Sequence, residues 1–295
     1  MSDLRAQLAD RFEARAHPLR EASRRWVDHG TVDLAEVTFA TTAGAPVRGI
    51  LCRPKGAQGP LATVLVIHAH GNRYHIGADE LMQGRPALAR PLGPDLAALG
   101  VQSLCLDMPC FGARADMGES ATAKAALWRG GSLAGQMLGE SVSALDWLIG
   151  SGLADAGRIA VFGISMGATL GLWLAAVDLR VRALVQLCCF ADYAALISAG
   201  SHDLHGIYLT VPGLLTIASN GEIAALIAPR AQFIGWGADD PLTPPAALAP
   251  ARAAVQAGYA ALGGDLALYP QAGVGHSETP AMRDAALCFL ARNLV

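Results

Sequence analysis

Arg158-Ile159-Ala160-Val161-Phe162-Gly163-Ile164-Ser165-Met166-Gly167 decides how this chain is read. A short apolar run of strand type enters Gly-Ile-Ser-Met-Gly, and the stretch from Ala168 to Val177 that leaves it is helix-like. A serine on so tight a strand-to-helix turn must hold a strained backbone, and a side chain on either flank would collide with the strand or the helix. Glycine at 163 and 167 relieves both collisions and leaves the serine oxygen exposed above the sheet. The bare G-x-S-x-G pattern arises easily in a chain with 33 glycines, so the strand before it and the helix after it carry the weight. Ser165 is therefore a candidate nucleophile, and the bland alternative is an ordinary glycine-rich turn.

Composition sets the frame around that turn. A chain of 295 residues, 53% of them apolar, buries a substantial core and is no disordered segment. A net charge of −3 gives no basic footprint, so nucleic acid is not an expected partner. The stretch from Met1 to Trp26 mixes Asp3, Asp10, Glu13 and Glu21 with arginines and lacks the apolar run of a signal peptide. No apolar run approaches the roughly 18 residues that cross a bilayer, so no membrane association is expected. The six cysteines are scattered without metal-knuckle spacing and read as free thiols. Together these features point to a cytoplasmic protein.

Around the turn, strands and helices alternate. Residues 3–28 read as an amphipathic helix broken at Pro18, through Leu4, Leu8 and Phe12, so 1–30 is expected to be a helical extension that packs on its own body or forms a homodimer. Val32–Thr41 and Pro46–Arg53 read as a hairpin turning at Ala43-Gly44-Ala45. Then come a buried strand at Leu61–His68, a helix at Gly93–Leu99, a strand at Val101–Leu106, and a long helical stretch, Glu119–Ile149, interrupted near Gly130-Gly131. After the Arg158–Phe162 strand and its helix lies a strand at Val181–Leu187. Residues 190–228 break the rhythm and read as an insertion. Strand Ala231–Trp236, helix Pro244–Ala261, strand Asp265–Tyr269 and helix Pro280–Leu294 complete the chain. The expected fold class is α/β, a mostly parallel central sheet with helices on both faces, led in by an antiparallel hairpin and spanning 31–295.

In such a sheet, loops at the carboxyl ends of the strands converge on one edge. Three of them carry complementary chemistry. Ser165 follows one strand, Asp239 and Asp240 follow the strand ending at Trp236, and His276 follows the strand ending at Tyr269 in Gly273-Val274-Gly275-His276. A serine hydroxyl is a weak nucleophile until a histidine accepts its proton, and a buried carboxylate holds that histidine in one tautomer. Either aspartate fits, and both are also natural helix starters.

On these residues the chain resembles the α/β-hydrolase superfamily over 32–295, and within it the dienelactone-hydrolase-like and acetyl-xylan-esterase-like serine hydrolases. The matching segments are Val64-Leu65-Val66-Ile67-His68-Ala69-His70-Gly71, the turn Asp107-Met108-Pro109-Cys110-Phe111-Gly112, the Ser165 turn, Gly235 to Pro244, and the His276 loop. Dienelactone hydrolases proper use cysteine where this chain has Ser165. The resemblance implies an α/β-hydrolase fold with a small lid at 190–228, and a Ser165–Asp240–His276 triad, the acid standing four residues before Pro244. It implies an esterase that needs no cofactor and acts on a small-molecule ester, or the same triad applied to a thioester, amide or C–C bond. A catalytically silent binding protein of the same fold is the rival of another class. The oxyanion donors implied are the backbone N–H groups of Met166 and His70, or of Asn72 in place of His70. Tyr208, Leu209 and Leu214 could wall the substrate pocket or merely pack the insertion down, and Arg73 and Arg85 could meet an acidic substrate. His68, His70 and His75 invite a metal reading, but no carboxylate partner stands at ligand spacing, so no metal is expected. His202 and His205 are expected at the pocket rim, and Asp107 beneath the site.

Overall fold

The computed structural model describes residues 2–15, 17–42 and 44–295. It opens with helix α1 (Ser2–Arg11) and strands β1 (Leu19–His29), β2 (Val32–Thr41), β3 (Val47–Pro54) and β4 (Leu61–Ile67). Helices α2 (Glu80–Gln83) and α3 (Leu92–Ala98) lead to β5 (Gln102–Leu106), and α4 (Glu119–Trp128) and α5 (Leu133–Gly150) lead to β6 (Ala154–Ile164). Next come α6 (Met166–Val177), β7 (Val181–Leu187), α7 (Tyr193–Ser198), three single turns of tighter helix, and α8 (Asn220–Ala225). The chain ends with β8 (Ala231–Gly237), α9 (Pro245–Leu262), β9 (Leu266–Gln271) and α10 (Pro280–Leu294).

One sheet gathers the nine strands in the order β1-β2-β3-β5-β4-β6-β7-β8-β9. Pairing is antiparallel from β1 to β5 and parallel from β5 to β9. The central strands are buried on both faces, which is why they read as continuous apolar runs. Along β4, Leu65 and Ile67 enter the core shared with α5, α6 and α9, while Val64 and Val66 enter the core shared with α3 and α10. Helices thus cover both faces, as the alternation in the sequence implies.

The N-terminal reading needs correction. Among the described residues of the expected helix 3–28, only 3–11 are helical, within α1, and Leu19–His29 is a strand in register with β2. Ala16, within that expected helix, and Ala43, in the expected hairpin turn, lie outside the described residues. β1 is an edge strand, exposed along nearly its whole length, so it shows no apolar alternation and its arginine-rich sequence resembles a polar helix. Cross-strand bonding to β2 decides its conformation. Leu8 and Phe12 are fully buried against the chain's own body. Phe12 stacks on Trp173 of α6 with ring centroids 4.8 Å apart, and Arg5 donates to the carbonyls of Ala176 and Leu226 at 2.8 and 2.9 Å.

The junction of β4 and β5 is polar. His68 is wholly buried and spent on backbone: Nδ1 donates to the Ala69 carbonyl at 3.0 Å, and Nε2 accepts from the Met108 N–H at 3.2 Å. Burial pushes its pKa from 6.5 down to about 3. Asp107 lies beside it, its two oxygens accepting the N–H groups of Ala78 and Ala113 at 2.7 and 2.9 Å.

Two outcomes are expected. Phe12→Ala should cost about 3–5 kcal/mol, read as a lowered urea midpoint, because it opens a cavity beside Trp173. For His68, the unfolded chain binds a proton near pH 6.5 that the folded chain refuses until about pH 3. Its contribution is therefore complete above pH 6.5 and is lost at about 1.4 kcal/mol per pH unit as pH falls through that window. His68→Gln keeps a donor and an acceptor but cannot titrate, so its stability should fall less steeply than wild type by one proton. Parallel slopes would refute this.

Candidate active site

Ser165 sits between β6 and α6 with φ 58° and ψ −120°, a conformation non-glycine residues rarely hold. A Cβ on Gly163 would overlap the carbonyl of Gly167, and a Cβ on Gly167 would overlap the carbonyl of Ile67 at the end of β4. Both glycines are therefore required by close approach of backbone. The Ser165 N–H donates to the Leu187 carbonyl at 2.8 Å, and its own carbonyl accepts from Ala168 and Thr169 at 2.9 and 3.1 Å. Those bonds hold the strained residue in place. Met166 is the first residue of α6, where N–H groups have no intrahelical partner.

The structure brings the three predicted side chains together in one chain of hydrogen bonds. Ser165 Oγ donates to His276 Nε2 at 2.9 Å, and His276 Nδ1 donates to Asp240 Oδ2 at 2.7 Å. Asp240 is buried, and its other oxygen accepts the N–H of Leu242 at 2.9 Å. Asp239 points into solvent and meets the histidine loop only through its N–H, which donates to Val274 at 2.9 Å. Of the two aspartates, Asp240, the one the resemblance names, is the one hydrogen-bonded to His276. In the tautomer with its proton on Nδ1, the imidazole offers Nε2 to the serine.

Among the N–H groups after β4, that of Ala69 donates to Glu80 at 3.0 Å, that of Asn72 to the ring Nδ1 of His70 at 3.1 Å, and that of Arg73 to the His70 carbonyl at 3.0 Å. Asn72 is therefore committed, whereas the N–H of His70 makes no hydrogen bond among the described residues. The His70 ring donates through Nε2 to Glu119 at 2.9 Å and stacks on Tyr208 at 5.6 Å. Glu119 also accepts from Tyr74 Oη at 2.7 Å and from the N–H of Tyr208 at 3.3 Å. Burial alone would raise its pKa, but the bonds from His70 and Tyr74 outweigh that and hold it below the usual carboxylate range.

The other residues named from the sequence are placed as follows. Leu214 is buried in the core with α5 and α6, and Leu209 packs against it, so both fasten the insertion to the body. His202 is exposed, while His205 is half-buried and donates through Nε2 to the Leu242 carbonyl at 3.2 Å. Arg85 cannot meet a substrate as expected: it is buried in an ion pair with Glu80 and donates to the His70 carbonyl at 3.1 Å. Arg73 is exposed. The metal reading finds His68 and His70 with both ring nitrogens occupied. Two cavities of about 740 and 520 Å³ lie elsewhere, one lined by Glu13, His17 and Leu19 against α4 and α5, the other over 75–91, and Ser165 lines neither.

Sequence reasoning missed Glu119, Glu80 and Glu278. The last accepts the Ala89 N–H at 3.1 Å, pairs with Arg283 at 2.7 Å, and donates its own N–H to Ala87 at 2.8 Å, fastening the His276 loop to residues 87–89. An acid at the start of a helix carries no sequence signal beyond helix initiation.

No family model matches this chain. In sequence it is similar to YtaP of Bacillus subtilis strain 168, named only as a hydrolase, with 36% identity over 240 residues that cover 81% of this chain and 80% of that one. In fold it is similar to an acetyl xylan esterase from Paenibacillus sp. R4, with a TM-score of 0.71, 19% identity, and coverage of 100% of this chain and 95% of that one. It is likewise similar to a glucuronoyl esterase from Solibacter usitatus, with a TM-score of 0.68, 15% identity, and coverage of 99% and 92%. With 36% identity across four fifths of both chains, and a strand–serine–helix turn in a mostly parallel nine-stranded sheet, this chain belongs to the α/β-hydrolase superfamily, in one family with YtaP.

Proposed function

We propose that this chain is a serine hydrolase that cleaves a carboxylic ester through an acyl-enzyme on Ser165. The observation that carries the reading is the continuous path from Ser165 Oγ through His276 to Asp240, with steps of 2.9 and 2.7 Å. His276 Nε2 takes the hydroxyl proton as Oγ attacks the ester carbonyl, and Asp240 steadies the imidazolium that forms. The carbonyl oxygen, now negative, is received by the N–H groups of Met166 and His70. Asn72 is the weaker choice for the second donor, because its N–H is spent on the His70 ring. His276 then gives its proton to the departing alkoxide, and the same groups activate water for the second half-reaction. No step calls for a cofactor.

An ester is preferred over a thioester, amide or C–C bond because the proteins of like fold named above are esterases. The 190–228 segment serves as the lid, with Tyr208 as the wall nearest the His70 loop and Leu209 and Leu214 seating it on the body. The substrate of this reading is a small-molecule ester.

Ser165→Ala should abolish hydrolysis of p-nitrophenyl acetate with its urea midpoint intact, and should lose labelling by a fluorophosphonate that marks the wild type. Asp240→Asn should lower kcat about 10⁴-fold by imposing the wrong histidine tautomer. Unchanged turnover in Ser165→Ala would sink the mechanism, and an unlabelled wild type would favour a silent binding protein.

A further inference from the structure

One buried carboxylate joins three elements that the proposed chemistry needs in register. Glu119, at the first position of α4, is 8% exposed at its side chain and accepts from the His70 ring, the Tyr74 hydroxyl and the Tyr208 N–H. Gly206 lies so close that a Cβ there would stand about 3.0 Å from both Glu119 and His70, so the insertion rests directly on the pair. Phe111 closes the cluster, its ring 5.2 Å from His70 and 5.1 Å from Tyr74. His70 cannot turn without breaking a bond at each ring nitrogen, since Nδ1 accepts from Asn72 while Nε2 donates to Glu119. A ring fixed at both nitrogens fixes the peptide that carries it.

We propose that Glu119 is a positioning residue for catalysis: through the His70 ring it holds the His70 N–H in place to receive the oxyanion, and it docks the 206–208 segment of the lid on the same point. The inference rests on the reading of Ser165, Asp240 and His276 as a catalytic triad. Glu119 touches no reacting atom. Its effect falls on the geometry of an oxyanion donor, which matters most in the transition state, so it should be felt in kcat rather than in KM.

The test is turnover of p-nitrophenyl acetate by Glu119→Ala, Glu119→Gln, His70→Ala and the Glu119→Ala/His70→Ala double variant, with urea titration of each and fluorophosphonate labelling of Ser165. Glu119→Ala should lower kcat about 10- to 100-fold, with KM within about threefold. Glu119→Gln keeps an oxygen that accepts from His70 Nε2 and should recover most of that loss. In the His70→Ala background, Glu119→Ala should add little, because its route to the N–H is already gone. An unchanged kcat in Glu119→Ala, equal losses in the Ala and Gln variants, or additive losses in the double variant would overturn the inference. Should Glu119→Ala fail to fold, His70→Ala alone must lower kcat at constant KM, and an unchanged kcat there overturns it equally. A wild type that neither turns over nor labels removes the triad reading and this inference together. An active, labelled wild type indifferent to Glu119 removes this inference alone.

Discussion

The contact between Gly167 and the end of β4 is the constraint from which the rest of the site follows. With no Cβ, Gly167 lets the first turn of α6 press against the carbonyls of Ile67 and His68. That closeness sets the unpaired N–H groups at the start of α6 beside the loop that opens with His68. It also forces Ser165 into a positive-φ conformation of a kind that costs about 1–3 kcal/mol. The bond from its N–H to Leu187 and the two bonds to its carbonyl oppose relaxation. Any side chain at 167 would push the helix off the strand and separate the serine from the loop that faces it.

Buried carboxylates then fix the loops around that turn. Asp107 accepts from Ala78 and Ala113, Glu80 from Ala69, Glu278 from Ala89 and Glu119 from Tyr208, each reaching a peptide N–H on another segment. A charged acceptor makes a stronger bond than a carbonyl, and more so away from water. Loops at a sheet edge lack ladder partners, so these acids supply the order that strands obtain from one another. Arg85 and Arg283 offset the burial of Glu80 and Glu278, and both pairs face inward.

Much of this was legible in the sequence, for identifiable reasons. The Ser165 turn shows because steric exclusion leaves only glycine at 163 and 167. The doubly covered strands show because burial on two faces produces unbroken apolar runs. Asp240 and His276 show by chain order and by loop position. Residues 19–29 did not show, because an exposed edge strand is held by its neighbour's backbone and its side chains record nothing of that. Glu119 did not show because the contacts that distinguish it from any first-turn acid come from residues 45, 49 and 89 positions away. Between Asp239 and Asp240 the residue types alone are silent, and it is the resemblance, through the place four residues before Pro244, that names Asp240.

The spacing of Ser165, Asp240 and His276 along the chain reflects sheet geometry. Ile164, Leu187, Gly235 and Tyr269 lie in one row across β6, β7, β8 and β9. From that row Ser165 is the next residue, Asp240 comes five residues on, and His276 seven. Adjacent strands stand about 4.8 Å apart, so β8 lies roughly 10 Å and β9 roughly 14 Å from β6. The farther the strand, the longer the loop needed to bring its side chain back to the serine. Gly237 lets the acid and histidine loops run against each other, since a Cβ there would strike the carbonyls of Val274 and Gly275. Ala238 and Asp239 then donate to Gln271 and Val274, binding the two loops into one unit. Deleting a residue from either loop would move both groups away from Ser165, and so the acid and the histidine are positioned jointly even though they stand on different strands.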